Sequence, residues 1–108
     1  MIYILLPAYN EENSLDPLIK KIDASLKKLK KEYKIIICND GSNDKTLEKL
    51  KSLSKQYDIE IINHKINRGL GETSRDLFER ASEISNEKDI IIRMDCDDTH
   101  EPKYIKDI

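Results

Sequence analysis

Ile35-Ile36-Ile37-Cys38 runs without a break into Asn39-Asp40-Gly41-Ser42-Asn43-Asp44. Four consecutive apolar residues without alternation, bounded by turn-formers, read as a strand buried on both faces. An acidic, turn-forming cluster then sits at its carboxyl end. The same arrangement occurs twice more. Ile2-Tyr3-Ile4-Leu5-Leu6 precedes Pro7-Ala8-Tyr9-Asn10-Glu11-Glu12, and Ile90-Ile91-Ile92-Arg93-Met94 precedes Asp95-Cys96-Asp97-Asp98. Helical patterns separate these runs, which predicts parallel strands. In open parallel sheets ligands bind outside the carboxyl ends of the strands. Three polar clusters at three such ends therefore describe one site.

Working outward, the first strand covers 2–6 and the first helix starts near Ser14 as N-cap, with Pro17 tolerated in its first turn. Leu15, Leu18, Ile19, Ile22, Leu26 and Leu29 mark one apolar stripe at helical spacing. The lysines Lys20, Lys21, Lys27, Lys28, Lys30 and Lys31 read as its solvated outer face. The second strand is about 34–38, and the second helix has Asp44 as N-cap with Leu47, Leu50, Leu53 and Tyr57 inward. A third strand at 59–63 leads to a helix after Gly71 whose buried side is Leu77, Phe78, Ala81 and Ile84. The fourth strand is 90–94, and Pro102 opens a further helix. The expected fold class is α/β, a Rossmann-like three-layer parallel sheet of strand order 3-2-1-4, with residues 1–108 in one domain. A fourth strand still in need of cover makes the architecture incomplete, so the chain reads as truncated.

The totals exclude several classes. Lys+Arg 19 against Asp+Glu 21 gives a net charge of -2, without the basic excess of a nucleic-acid module. No apolar run approaches the ~20 residues that span a bilayer, so no transmembrane segment is expected. Residues 1–9 lack a basic start and a small-residue cleavage site, and read as a strand rather than a signal peptide. Cys38 and Cys96 fall on strands flanking the first, about 10 Å apart at two strand spacings, too far for a disulfide. Reduced thiols point to a cytoplasmic protein.

The polar clusters carry the chemistry. Tyr9 offers an aromatic face to a base and Glu11 an acceptor for ribose or base donors. Against this stands a plain turn with acids leading a helix. Asp40 ends its strand, where a carboxylate accepts two N–H donors from a nucleobase such as uracil or guanine. Asn67-Arg68-Gly69-Leu70-Gly71-Glu72-Thr73-Ser74 holds a G-x-G-x-x-S string, but after the third strand, whereas a dinucleotide fingerprint needs the first βα turn. It reads better as a close backbone approach beside a helix N-terminus that faces a diphosphate. Asp95, Asp97 and Asp98 put three carboxylates in four residues. They repel one another unless a divalent cation binds, and oxygen ligands suit Mg²⁺ or Mn²⁺. His100 has no partner at zinc spacing.

Four strings together resemble the family 2 glycosyltransferases, in particular the polyprenyl- or dolichyl-phosphate sugar synthases: P-A-Y-N-E-E at 7–12, N-D-G-S-N-D-K-T at 39–46, N-R-G-L-G at 67–71 with Arg75, and D-C-D-D-T-H-E-P at 95–102. The resemblance implies a GT-A fold, a nucleotide-diphosphate sugar donor, and Mg²⁺ or Mn²⁺ held by a D-x-D motif. Carried over by position, Pro7, Tyr9, Glu11, Asp40 and Asp95 bind the donor, with Cys38 contributing through its backbone. Asp95 and Asp97 form the D-x-D pair, and Thr99 is a third metal position. The implied function is the donor-binding region of a hexosyltransferase, with a lipid phosphate as acceptor at the cytoplasmic membrane face. The chain departs from the family pattern at Glu72, Thr73 and Leu77, and Asp98 adds a charge beside the D-x-D. The motifs present serve donor and metal, and none is assigned as catalytic base.

Rival readings fare less well. A sugar nucleotidyltransferase or dinucleotide-binding domain needs a Gly-rich loop where Pro7-Ala8-Tyr9 stands. A receiver-type signalling domain needs a phosphoacceptor Asp where His64-Lys65-Ile66-Asn67 stands. An inactive fragment or degenerate donor-binding relative stays open.

Overall fold

The computed structural model describes residues 1–96. Strands β1 (Ile2–Ala8), β2 (Tyr33–Asp40), β3 (Ile59–His64) and β4 (Ile90–Arg93) alternate with helices α1 (Leu15–Lys28), α2 (Thr46–Leu53) and α3 (Leu70–Ile84). All pairings are parallel and the sheet order is β3-β2-β1-β4, as the sequence pattern predicts. The register brings the carboxyl ends level. Ala8 pairs with Asn39, and Asp40 with His64.

Side chains alternate across the pleat, so β1 and β2 each feed two cores. Ile2, Ile4, Leu6, Ile35 and Ile37 pack against the α1 stripe and against Leu50 and Leu53 of α2. Tyr3, Leu5, Ile36 and Cys38 face Leu77 and Ala81 of α3. Each fully buried Ile or Leu contributes about 1.5–3 kcal/mol from apolar burial, which offsets the entropy of ordering its segment. On α1, Asp16 in the first turn and Lys27 and Lys28 in the last complement the helix dipole. Arg80 of α3 grips Glu60 on edge strand β3 through two N–H···O bonds of 2.6 and 2.9 Å.

Several expectations need correction. Phe78 is 45% exposed, whereas its neighbour Leu77 is fully buried. One residue along a helix is a turn of about 100°, which carries Phe78 off the inward face. Leu47 is half-buried and lies outside the core of its helix. Helix α3 begins at Leu70, before Gly71. Helix α2 begins at Thr46, with Lys45 in the capping position. Asp44 still accepts a 2.9 Å bond from the Thr46 N–H. The apolar run of β4 predicts burial on both faces, yet Ile90 and Ile91 are exposed. Among the described residues it pairs with β1 alone, and α3 lies over β1 and β2. The helix expected at Pro102 lies outside the described residues.

Candidate donor-binding site

Strands β1 and β2 run further than their apolar cores suggest, to Ala8 and Asp40, so the polar clusters begin on the strands themselves. Beyond them two loops are stitched together. Asn10, in the left-handed region at φ 52°, accepts the Asn43 N–H at 2.8 Å and donates its own N–H to Ser42 Oγ at 3.0 Å. The Glu11 N–H donates to Thr46 Oγ1 at 2.9 Å. A third loop, after β3, comes closer still. A Cβ at Gly41 would lie 2.2 Å from the Asn67 nitrogen, and Gly41 itself sits at φ +66°. Only glycine permits both the turn and the approach.

Asp40 organises this third loop. Its Oδ1 accepts the Arg68 N–H at 2.8 Å and its Oδ2 the Gly69 N–H at 2.9 Å, while its backbone oxygen takes Asn67 Nδ2 at 3.1 Å. His64 Nδ1 stands 3.0 Å from the same Oδ1, and His64 Nε2 stands 2.6 Å from Asp76 Oδ2 on α3. Burial alone would raise the Asp40 carboxyl, but bonds from Arg68, His64 and Gly69 hold it below the ordinary carboxylate range. For His64 burial pulls downward, and the bonds to Asp40 and Asp76 reverse this, leaving the imidazole above its ordinary value. Cys38 Sγ lies 3.7 Å from both ring nitrogens. Burial, with the charges of Asp40 and Asp76, pushes its thiol up to about 12, so it stays protonated.

These elements enclose a cavity of about 360 Å³ at the carboxyl rim of the sheet. Pro7, Tyr9, Glu11, Asp40 and Asp95 all line it, together with Asn67, Gly69 and Thr73. That volume falls within the range of small-molecule sites. Tyr9 is 44% exposed. Thr73, in the first turn of α3, is 1% exposed, and among the described residues its hydroxyl has no hydrogen-bond partner of normal geometry. Of the predicted donor residues only Cys38 is absent from the lining; its side chain belongs to the α3 core. Asp95 Oδ1 lies 3.6 Å from Arg93 Nη2. Asp97 and Thr99 lie outside the described residues. Among the described residues no group of three His, Cys, Asp or Glu side chains is arranged to hold a metal ion.

The model of glycosyl transferase family 2 matches residues 3–108, nearly the whole chain. The chain belongs to this family. It is 33% identical to a dolichol-phosphate mannosyltransferase of Pyrococcus furiosus over 96% of its length and 28% of the relative's. It is 34% identical to an undecaprenyl-phosphate 4-deoxy-4-formamido-L-arabinose transferase of Photorhabdus laumondii, again over 96% of the chain and 31% of the relative. The chain thus spans less than a third of these curated relatives. Among solved structures, S. aureus TarS in complex with UDP-GlcNAc superposes with a TM-score of 0.75 at 20% identity, over 98% of this chain and 29% of TarS. The mannosyltransferase PcManGT of Pyrobaculum calidifontis, in complex with GDP-Man and Mn²⁺, gives 0.70 at 15% identity, over 89% and 27%. These superpositions establish the GT-A glycosyltransferase fold.

Sequence reasoning missed His64, Asp76 and Thr73. His64 ends its strand directly opposite Asp40, a pairing that only the β2–β3 register reveals. Asp76 and Thr73 share the inward face of α3 with Leu77, and nothing apolar marks them.

Proposed function

We propose that this chain forms the donor-binding region of a hexosyltransferase that moves a sugar from a nucleotide diphosphate to a lipid phosphate. The observation that carries this reading is the convergence of Pro7, Tyr9, Glu11, Asp40 and Asp95, from three separate strand ends, on one cavity. Tyr9 presents its ring to the base. Asp40 already has two protein donors on Oδ1 and one on Oδ2. A carboxylate offers about four acceptor positions, so one remains for a nucleobase N–H, not the two the sequence suggested. The free N–H groups at the start of α3, with the Thr73 hydroxyl, suit the diphosphate. Cys38 contributes to this pocket only as backbone behind Asp40.

Asp95 holds its carboxylate at the cavity rim, and oxygen donors there fit Mg²⁺ or Mn²⁺. Asp97 and Thr99 complete the proposed ligand set. Such an ion, when bound, neutralises charge on the departing diphosphate. The acceptor class follows the two curated relatives, whose names carry dolichol phosphate and undecaprenyl phosphate. No helix among the described residues is long and apolar enough to cross a membrane. The proposed location is the cytoplasmic membrane face, in keeping with the buried thiol of Cys38.

Calorimetry with UDP and GDP, each with and without Mn²⁺, tests the reading. We expect a metal-dependent component of binding that Asp97→Ala abolishes. Tyr9→Ala should weaken binding about tenfold, within the range for one lost base stack. Equal binding by wild type and Asp97→Ala removes the metal role. No binding of either nucleotide by wild type overturns the donor assignment.

A further inference from the structure

Asp40, His64 and Asp76 form a carboxylate–imidazole–carboxylate chain behind the cavity wall. His64 is 5% exposed, and each ring nitrogen faces a carboxylate oxygen, at 3.0 and 2.6 Å. Carboxylates only accept hydrogen bonds, so both nitrogens must donate. Only the imidazolium carries two N–H groups. Other charged or titratable groups near the ring are Cys38 on β2, held as the thiol, and Arg68 in the next loop, which opposes the ring's charge. The outer cleft that His64 also borders carries Asp44, Glu48 and Lys65. The loop governed by Asp40 has little hold of its own. Ile66, Asn67 and Arg68 are all exposed.

We propose that imidazolium His64, tethered by Asp76, is a positioning residue that fixes Asp40 and through it the Asn67–Gly69 wall of the donor pocket, so that wall order and donor affinity follow the charge on His64. The affinity half rests on the donor assignment above; the wall half does not. The direction follows from the contacts. Loss of either ring proton sets a nitrogen lone pair against a carboxylate, and one anchor of the clamp becomes a repulsion. Because the folded imidazole sits above its ordinary value of 6.5, the ordered wall is fully present below that pH. It is lost as pH rises through the raised folded value.

The test uses the 108-residue chain in three forms: wild type, His64→Gln and His64→Arg. Arginine keeps a permanent charge and two or more donors, without a titration near neutrality. Amide-exchange protection of Arg68 and Gly69 is measured from pH 6 to 9 beside the ring signals of His64. His100→Gln serves to separate the two histidines. In wild type, protection should fall about tenfold or more as His64 titrates, the order of one hydrogen bond to a charged group. It should be low at every pH in His64→Gln and flat and high in His64→Arg. Protection that ignores the His64 titration, or an Arg variant that loses it alongside wild type, overturns the proposal. UDP and GDP affinities over the same range should fall in step. A wall that loosens on schedule with no nucleotide bound at pH 6 refutes the donor assignment alone. Nucleotide affinity that stays constant while His64 titrates refutes the coupling alone.

Discussion

Replacing Gly41 by alanine should be the most damaging small change in the site. Two costs combine. At φ +66° an alanine carries about 1–2 kcal/mol of left-handed strain. Its Cβ would also stand 2.2 Å from the Asn67 nitrogen, 2.6 Å from the Ile66 carbonyl carbon and 2.9 Å from the Asn67 Cα. All three are backbone atoms, so no side chain can swing aside. Ordinary contact starts at 3.4 Å, and the loop must retreat by about 1.2 Å to reach it. Such a shift strains the Asp40 bonds to Arg68 and Gly69, now at 2.8 and 2.9 Å. Weakening one charged hydrogen bond of this kind costs about 1.5–3 kcal/mol. The expected total is about 2.5–5 kcal/mol, toward the limit for a single substitution. Two other glycines supply controls. Gly69, at φ 94° and ψ 161°, has nothing within 4 Å of its Cβ position but lies in a region held almost only by glycine, so Gly69→Ala should cost backbone strain alone, about 1–3 kcal/mol. Gly71 lies inside α3 with open space around it, and Gly71→Ala should be neutral or stabilise by up to about 1 kcal/mol. Urea denaturation at constant m-value gives all three. If Gly41→Ala costs no more than Gly69→Ala, the close approach of the two loops is not what selects glycine there.

Leu77→Ala should cost about 2–4 kcal/mol by opening the small α3 core, while Phe78→Ala, at a side chain nearly half exposed, should cost under about 1 kcal/mol in the same urea titration. On the acid side, the depressed Asp40 carboxyl contributes stability present above its ordinary value of 3.8 and lost as pH falls through its lower folded value. Stability measured from pH 5 downward should therefore fall more steeply in wild type than in Asp40→Asn; equal slopes would mean that Asp40 titrates as an ordinary surface carboxyl.

Strand number, order and direction were legible because the apolar runs of β1 and β2 are long, continuous and buried on both faces. The convergence of Pro7, Tyr9, Glu11, Asp40 and Asp95 on one cavity followed from topology alone, since parallel strands deliver their carboxyl ends to one rim. The edges were harder. Strand β4 has the same apolar signature as β2 but among the described residues pairs on one side only, and a run of isoleucines does not say whether a second neighbour exists. Phe78 shows a comparable limit. Leu77-Phe78 offers two adjacent apolar residues on a helix, and the inward one is chosen by the sheet beneath, where Thr73 and Asp76 take inward places that hydrophobicity would assign elsewhere. His64 escaped notice because its partners come from β2 and α3, 24 and 12 residues away. No local spacing rule joins the three.

The hold of Asp40 on Asn67, Arg68 and Gly69 reaches across 27 to 29 residues of sequence. One wall of the cavity is therefore written in a different part of the chain from the loop that forms it. Residues 66–69 grafted alone onto another parallel sheet would arrive without instructions for their shape. The transferable unit is the pair of strand ends: Asp40 and Gly41 from one, His64 and the loop from the other, with Asp76 on the helix behind them. Variation in this family member is bound by the same linkage, because a change at 41 or 64 is also a change at 67, and the two segments can drift only together.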